Sequence, residues 1–239
     1  MTLASVSQHD QVTALTRGTS LPLAPLGADV LEIILEAVAH AWAHVKATHP
    51  GHLETGNEAA ISALLVSRLN ETLGTDPLLG MLVACVDRGS ENISFDGKKL
   101  EMRPDLQFAL TALDKRFRLI GEAKIIDIPK KKTPSLYRTK GIARFVRGDY
   151  AWTSREAFMV GYVRCNAQLD ADLLSGLTGF ASLNCAGKAL VSPVNPPIAT
   201  GALGKSTHHR KFSYVHTHTA SPGAIELWHL WLNASHATE

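Results

Sequence analysis

Arg103-Pro104-Asp105-Leu106-Gln107-Phe108 and, a short connection later, Leu119-Ile120-Gly121-Glu122-Ala123-Lys124-Ile125-Ile126 are two strand-like runs in which charged residues interrupt apolar ones. A carboxylate in mid-strand among apolar neighbours is costly to bury unless a cation or a donor stands beside it. Side chains alternate along a strand, so Glu122 and Lys124 project from one face, and Asp105 joins them if its strand pairs alongside. Two carboxylates then converge on one point, next to an ammonium. Oxygen ligands of this kind suit Mg²⁺ or Mn²⁺, which keep several waters and bind through a few carboxylates plus phosphate oxygens. Hydrolysis of a phosphodiester needs an acidified water and neutralisation of charge at phosphorus, both of which such a metal supplies. Lys124 adds a positioned cation that can orient the water or hold the phosphate.

On the N-terminal side, Ile93-Ser94-Phe95 and Leu100 to Leu110 flank the turn pair Asp96-Gly97, which predicts two antiparallel strands; Phe117 to Ile126 is then the third. Before them, Val30, Ile33, Ile34, Ala37, Val38, Ala41 and Val45 recur at helical spacing over Ala28 to Lys46, and Ala60, Leu64, Leu65 and Leu69 do so over Gly56 to Leu73. Glu58 falls in the first turn of that second helix, where a carboxylate is also mildly stabilising. Met1 to Gly27, rich in Ser, Thr and Pro, is expected to be a loose arm. On the C-terminal side, Pro129 to Gly148 is a basic segment followed by a helix, Phe158 to Val163 a buried strand, and Ala167 to Phe180 a weak helix. Ser192 to Pro197 and the glycines after it are expected to form a loop, with Phe212 to Thr219 and Ile225 to Leu232 as two strands. There is no internal repeat.

Between Pro129 and Gly148 stand Lys130, Lys131, Lys132, Arg138, Lys140, Arg144 and Arg147, without an acidic residue among them. At 100° per residue Tyr137, Lys140, Arg144 and Arg147 share a narrow sector opposite Ile142, Phe145 and Val146, which predicts one packed face and one that meets phosphate. The plainer alternative is a merely solvated face. In the tail, His216 and His218 would share a strand face as a zinc pair does, but no carboxylate or cysteine at ligand spacing completes a site. Trp228 and Trp231 are expected in the core or an interface.

The 239 residues, 45% hydrophobic and 19% charged, suit one domain with an elaboration: an arm and helix over 1–55, a core over 56–163 and an extension over 164–239. A net charge of +2 identifies no polyanion-binding protein by itself, so position has to carry that argument. Cys85, Cys165 and Cys185 are odd in number, far apart and not paired as C-x-x-C, which suggests neither a disulfide framework nor a thiolate zinc site and predicts buried thiols. The apolar runs Ala59 to Val66 and Leu78 to Val86 are shorter than a membrane span, and no basic-then-apolar leader opens the sequence; the expected location is the cytoplasm.

Pro104-Asp105 on one strand and Glu122-Ala123-Lys124 on the next resemble the PD-(D/E)XK nuclease superfamily, the restriction-endonuclease-like fold. The order helix, three-strand meander, helix, strand over roughly 56–163 resembles that superfamily's core. The resemblance implies an α/β fold and a Mg²⁺-dependent endodeoxyribonuclease, with Mn²⁺ able to substitute. Asp105, Glu122 and Lys124 would be catalytic, with Asp105, Glu122 and a helix carboxylate holding the metal. Glu58 is the candidate for that carboxylate and Glu54 its rival. Tyr137, Lys140, Arg144 and Arg147 would bind DNA. The segment Tyr137 to Tyr150, followed by Phe158-Met-Val-Gly-Tyr162, is similar to subfamilies associated with bacterial anti-phage defence. The competing readings are a catalytically silent nucleic-acid-binding module of the same fold and a zinc hydrolase built on the tail histidines. A duplex presents two strands related by a two-fold axis, so a homo-oligomer, most simply a dimer, is expected, and a regulatory partner protein would restrain the activity.

Overall fold

The strand bearing Glu122 and Lys124 runs through the interior of a six-stranded mixed sheet. In the computed structural model, residues 8–89, 92–99, 102–174, 201–214 and 221–235 are described. The chain enters through α1 (Gln8–Thr16), α2 (Ala28–Thr48), α3 (Pro50–Thr55), α4 (Glu58–Leu73) and α5 (Pro77–Leu82). The strands β1 (Val83–Asp87), β2 (Leu106–Leu110) and β3 (Leu119–Ile126) follow. A helical run then comprises α6 (Pro134–Leu136), a π-helical segment Tyr137–Ile142 and α7 (Ala143–Arg147), leading to β4 (Glu156–Val163). A second π-helical segment, Leu169–Leu174, precedes β5 (Gly201–His209) and β6 (Ala224–Asn233). The sheet order is β1-β2-β3-β4-β6-β5. β1, β2 and β3 are antiparallel neighbours, β4 lies parallel to β3, β6 parallel to β4, and β5 antiparallel to β6.

Period-2 alternation in β3 divides the core. Leu119, Ala123 and Ile125 pack with α2 and α4, whose Leu31, Ile34, Leu35, Val38, Trp42, Ile61, Leu65 and Leu69 come at three- and four-residue intervals. Ile120 and Ile126 face the other way, onto Tyr137, Ile142, Phe145 and Val146. Burying each such side chain contributes roughly 1.5–3 kcal/mol, so both faces of β3 are committed and its register is fixed. α4 starts where Asn57 accepts a hydrogen bond from the Ala60 amide at 2.8 Å, an N-cap worth about 1 kcal/mol that also sets where Glu58 points.

Several expectations are corrected. The first strand of the meander is Val83–Asp87, not the segment around Ile93. Asp96-Gly97 does turn, with Gly97 at φ +73°, but among the described residues its flanks meet in an isolated bridge, Asn92 with Met102, within the excursion between β1 and β2. The arm contains α1, whose Val12 packs with Leu21, Trp152, Phe212 and Tyr214. The glycine-containing stretch from Gly201 is a strand, and the described residues from Phe212 to Tyr214 are not. Within residues 164–239, β6 sits between β4 and β5 in the same sheet. Cys85 and Cys165 are half-buried rather than buried. The predicted helix over Ala167 to Phe180 is a π-helical segment over Leu169–Leu174, and its remainder after residue 174, together with the proline-rich loop, Cys185, His216 and His218, lies outside the described residues. Trp228 and Trp231 are core residues. Among the described residues no helix is long and apolar enough to cross a membrane.

Candidate active site

β2 and β3 pair only over Leu106–Phe108 and Leu119–Gly121. Beyond that point β3 continues beside β4, and among the described residues no strand pairs with its other edge. Unpaired amides on such an edge need acceptors. Asp105, immediately before β2, supplies one: its Oδ2 accepts from the Ala123 amide at 2.9 Å. Glu58, from the first turn of α4, supplies the next, with Oε1 accepting from the Ile125 amide at 3.2 Å. The notch where two strands part is thus closed by two carboxylates, which explains why both point at β3.

Extending the β2–β3 register one step places Asp105 opposite Glu122. Lys124 Nζ collects the group: it lies 2.6 Å from Glu122 Oε1, 3.3 Å from Glu58 Oε2 and 3.9 Å from Asp105 Oδ2. Glu122 is the most enclosed of the three, at 1% exposure. Its Oε1 also accepts from Arg144 Nη1 at 2.8 Å, while its Oε2 is buried with no hydrogen-bond partner. The same Arg144 nitrogen donates to the Tyr150 hydroxyl at 2.8 Å, and the guanidinium lies over the Tyr150 ring.

Burial dominates the electrostatics. It pushes Glu122 up to about 7, with the Asp105 charge adding to the rise and Lys124 and Arg144 opposing it. Asp105 is raised by burial and by Glu58, against Lys124, the Ala123 amide and Arg88. Burial acts to lower Lys124, but Glu122, Glu58 and Asp105 together outweigh it and the ammonium is stabilised. Three carboxylates therefore face two cations in a poorly solvated notch, an arrangement that favours taking up further positive charge.

No family model, curated protein or solved structure matches this chain. The reading of the site thus rests on its own geometry.

The structure brings Asp105, Glu122, Lys124 and Glu58 together, and Glu58 rather than Glu54 reaches the notch. Glu54 is exposed on α3, on the side of Arg164. The basic segment behaves differently from its helical wheel. Lys140 and Arg147 are exposed, Arg147 pairing with Asp149 at 3.1 Å, whereas Arg144 turns into the notch. Tyr137 is corrected outright: it is fully buried, donates to the Met159 carbonyl at 3.0 Å and meets His229 Nδ1 at 3.0 Å. The cause is the π-helical wind over Tyr137–Ile142, whose wider turns shift the phase that a 3.6-residue wheel assumes.

Sequence reading missed Tyr150, the partner of Arg144, for which the pattern carries no signal. It also missed a buried chain in which Ser206 Oγ lies 2.6 Å from both His208 Nε2 and His229 Nε2. Among the described residues, no group of three or more His, Cys, Asp or Glu stands ready to hold a metal; at the notch the Lys124 ammonium occupies the point where the carboxylates converge.

Proposed function

We propose that this protein is a metal-dependent deoxyribonuclease with a restriction-endonuclease-like core, and that the notch between β2 and β3 is its active site. The observation that carries the reading is the convergence of Asp105, Glu122 and Glu58, from three separate elements, on Lys124 Nζ. The element order supports it: α4, the antiparallel β1-β2-β3, a helical run, and β4 parallel to β3.

The donors are of the chemical kind a hard divalent cation takes, and Lys124 Nζ would have to give way at their point of convergence for one to bind. All three acidic groups offer oxygen, and Glu122 Oε2 is buried without a partner. Asp105, Glu122 and Glu58 would hold Mg²⁺, or Mn²⁺ in its place, and the ion would supply an acidified water and charge neutralisation at phosphorus. The protein's own groups do the rest. Lys124 and Arg144 place two cations where a phosphate oxygen gains charge. Lys140 and Arg147, exposed on the helical run, are positioned to meet the flanking phosphates. A place in bacterial defence belongs to the same proposal, on the likeness of the Tyr137–Tyr162 segment.

The deciding experiment incubates the purified chain with plasmid, linear duplex and single-stranded DNA, with Mg²⁺, with Mn²⁺ and with chelator. Metal-dependent nicking or shortening that is lost in Glu122→Gln is expected. DNA binding without cleavage under any metal would make the protein a silent binding module, and the reading would fall.

A further inference from the structure

A cavity of about 490 Å³, within the size range of small-molecule sites, opens beside the notch. Three of its lining residues tie it to the candidate active site. Pro104 precedes Asp105, Ile120 is two positions before Glu122 on the same face of β3, and Tyr150 holds the guanidinium that contacts Glu122. Three aromatic side chains, Phe117, Tyr150 and Trp152, are among the residues that line it. Polar groups stand among them: Gln11 from α1, Thr153, and Arg118, a cation.

Resting on the nuclease reading, we infer that this cavity receives one unpaired nucleoside of the DNA strand, the one adjoining the phosphate at Lys124 and Arg144. A strand whose phosphate lies at the notch must place its neighbouring sugar and base next to it, and this cavity is what lies there. Aromatic side chains suit the flat face of any base, and amide, hydroxyl and guanidinium groups suit its edge. A base inside a duplex is stacked on both faces and paired, so it cannot enter without being extruded, which costs unpairing and unstacking. The substrate class that follows is single-stranded DNA, or duplex with a mismatched or unpaired nucleotide. A perfect duplex would be the poorer substrate. The cavity also gives α1 a purpose, because Gln11 and Leu15 form part of its wall and Arg116 anchors the helix end by donating to the Leu15 and Arg17 carbonyls at 2.8 and 3.0 Å.

The test uses the full-length chain carrying Glu122→Gln, without metal, and a set of single-stranded oligonucleotides with 2-aminopurine moved one position at a time. Stacking against the cavity's rings should lower the probe's emission several-fold at one position and little elsewhere. Gln11→Leu, an exposed side chain of similar size without the amide that meets the base's edge, should weaken that drop and cut single-strand cleavage by the otherwise wild-type enzyme up to about tenfold. Wild type with Mg²⁺ should cleave single-stranded and mismatched DNA at least about tenfold faster than the perfect duplex. A position-independent signal, or equal rates on mismatched and perfect duplex, overturns the cavity's assignment while leaving the nuclease reading intact. A position-specific drop without any cleavage sustains the cavity and sinks the nuclease reading.

Discussion

Arg144 Nη1 lies 2.8 Å from Glu122 Oε1, the same oxygen that Lys124 Nζ reaches at 2.6 Å, so one buried carboxylate oxygen is shared by two cations from different elements. Arg144→Ala leaves Lys124 in place but removes the second cation and frees the Tyr150 hydroxyl. Cleavage should fall about 10²-fold, the usual effect of deleting one stabilising donor at an active site. Arg144→Lys should recover little of it, because an ammonium cannot bridge Glu122 and Tyr150 as the guanidinium fork does. Steady-state rates on one oligonucleotide decide this; a variant with full kcat would remove Arg144 from the site.

Asp105 and Glu58 each hold a β3 amide as well as a place in the acidic cluster, and conservative substitutions separate the two duties. Asp105→Asn keeps an acceptor for the Ala123 amide, so the thermal midpoint should stay close to wild type while cleavage is lost. Asp105→Ala should lose cleavage and also lower stability by about 1–3 kcal/mol, the cost of an orphaned buried donor. Lys124→Ala and Glu122→Gln should likewise abolish cleavage. Glu58→Gln should cost less activity, since water can replace one of three oxygen ligands. Calorimetry beside an activity assay checks the set, and full activity in Asp105→Asn would exclude that carboxylate from metal binding.

β2 and β3 were legible because period-2 alternation on β3 is clean and both of its faces are apolar apart from Glu122 and Lys124. α2 and α4 were legible from their spacing, and β4 and β6 from apolar runs of strand length. β1 was not, because the helix Pro77–Leu82 runs into Val83–Asp87 through one apolar stretch, Leu78 to Val86, in which helix and strand have no distinct period. β5 escaped because Lys205, Ser206, Thr207, His208 and His209 look like a loop, whereas an edge strand tolerates polar residues. Arg144 was assigned to an exposed face because a helical wheel presumes an α-helix, and nothing in Tyr137–Ile142 announces the π-helical wind. Contacts made across elements, such as Arg144 with Glu122, carry no local signature at all.

Gly161 stands in register with Lys124 on one side and Trp231 on the other. A Cβ there would lie 2.6 Å from Trp231 Cδ1, and the indole is held edge-on against Tyr137, so it cannot easily withdraw. Gly161→Ala should therefore cost about 1–3 kcal/mol as overpacking. Gly141, on the π-helical segment, would meet the terminal methyl and sulfur of Met159 at close range, the far end of a flexible side chain that can move aside. Gly141→Ala should lower the urea midpoint less than Gly161→Ala. The reverse order would show that the π-helical segment, not the sheet, is the tighter packing.

The buried histidines set how stability responds to acid. Taken from the contacts, one tautomer pattern satisfies every group: His208 Nε2–H donates to Ser206, Ser206 donates to His229 Nε2, His229 Nδ1–H donates to Tyr137, and Tyr137 donates to the Met159 carbonyl. Both imidazoles are neutral in this chain. Burial depresses His208 to about 4, and burial together with His208 depresses His229 to about 3, against an ordinary value of 6.5. Between about pH 4.5 and 6.5 the unfolded chain binds two protons at these positions that the native protein does not, so their contribution to stability is complete above pH 6.5 and is lost as pH falls. Each proton is worth about 1.4 kcal/mol per pH unit. Glu122 acts with the opposite sign. Raised to about 7 from 4.5, it keeps a proton in the native state that the unfolded chain has released, and so stabilises more as pH falls through the same window. The net slope of these three groups is about 1.4 kcal/mol per pH unit, with stability lower at the acid end. Glu122→Gln, which removes the opposing group, should steepen the slope by about 1.4 kcal/mol per pH unit, and His229→Gln should flatten it by the same amount. Urea titrations of the three proteins at half-unit intervals from pH 4.5 to 7 measure this directly; a wild-type profile that His229→Gln leaves unchanged would show that His229 is not held neutral in the core.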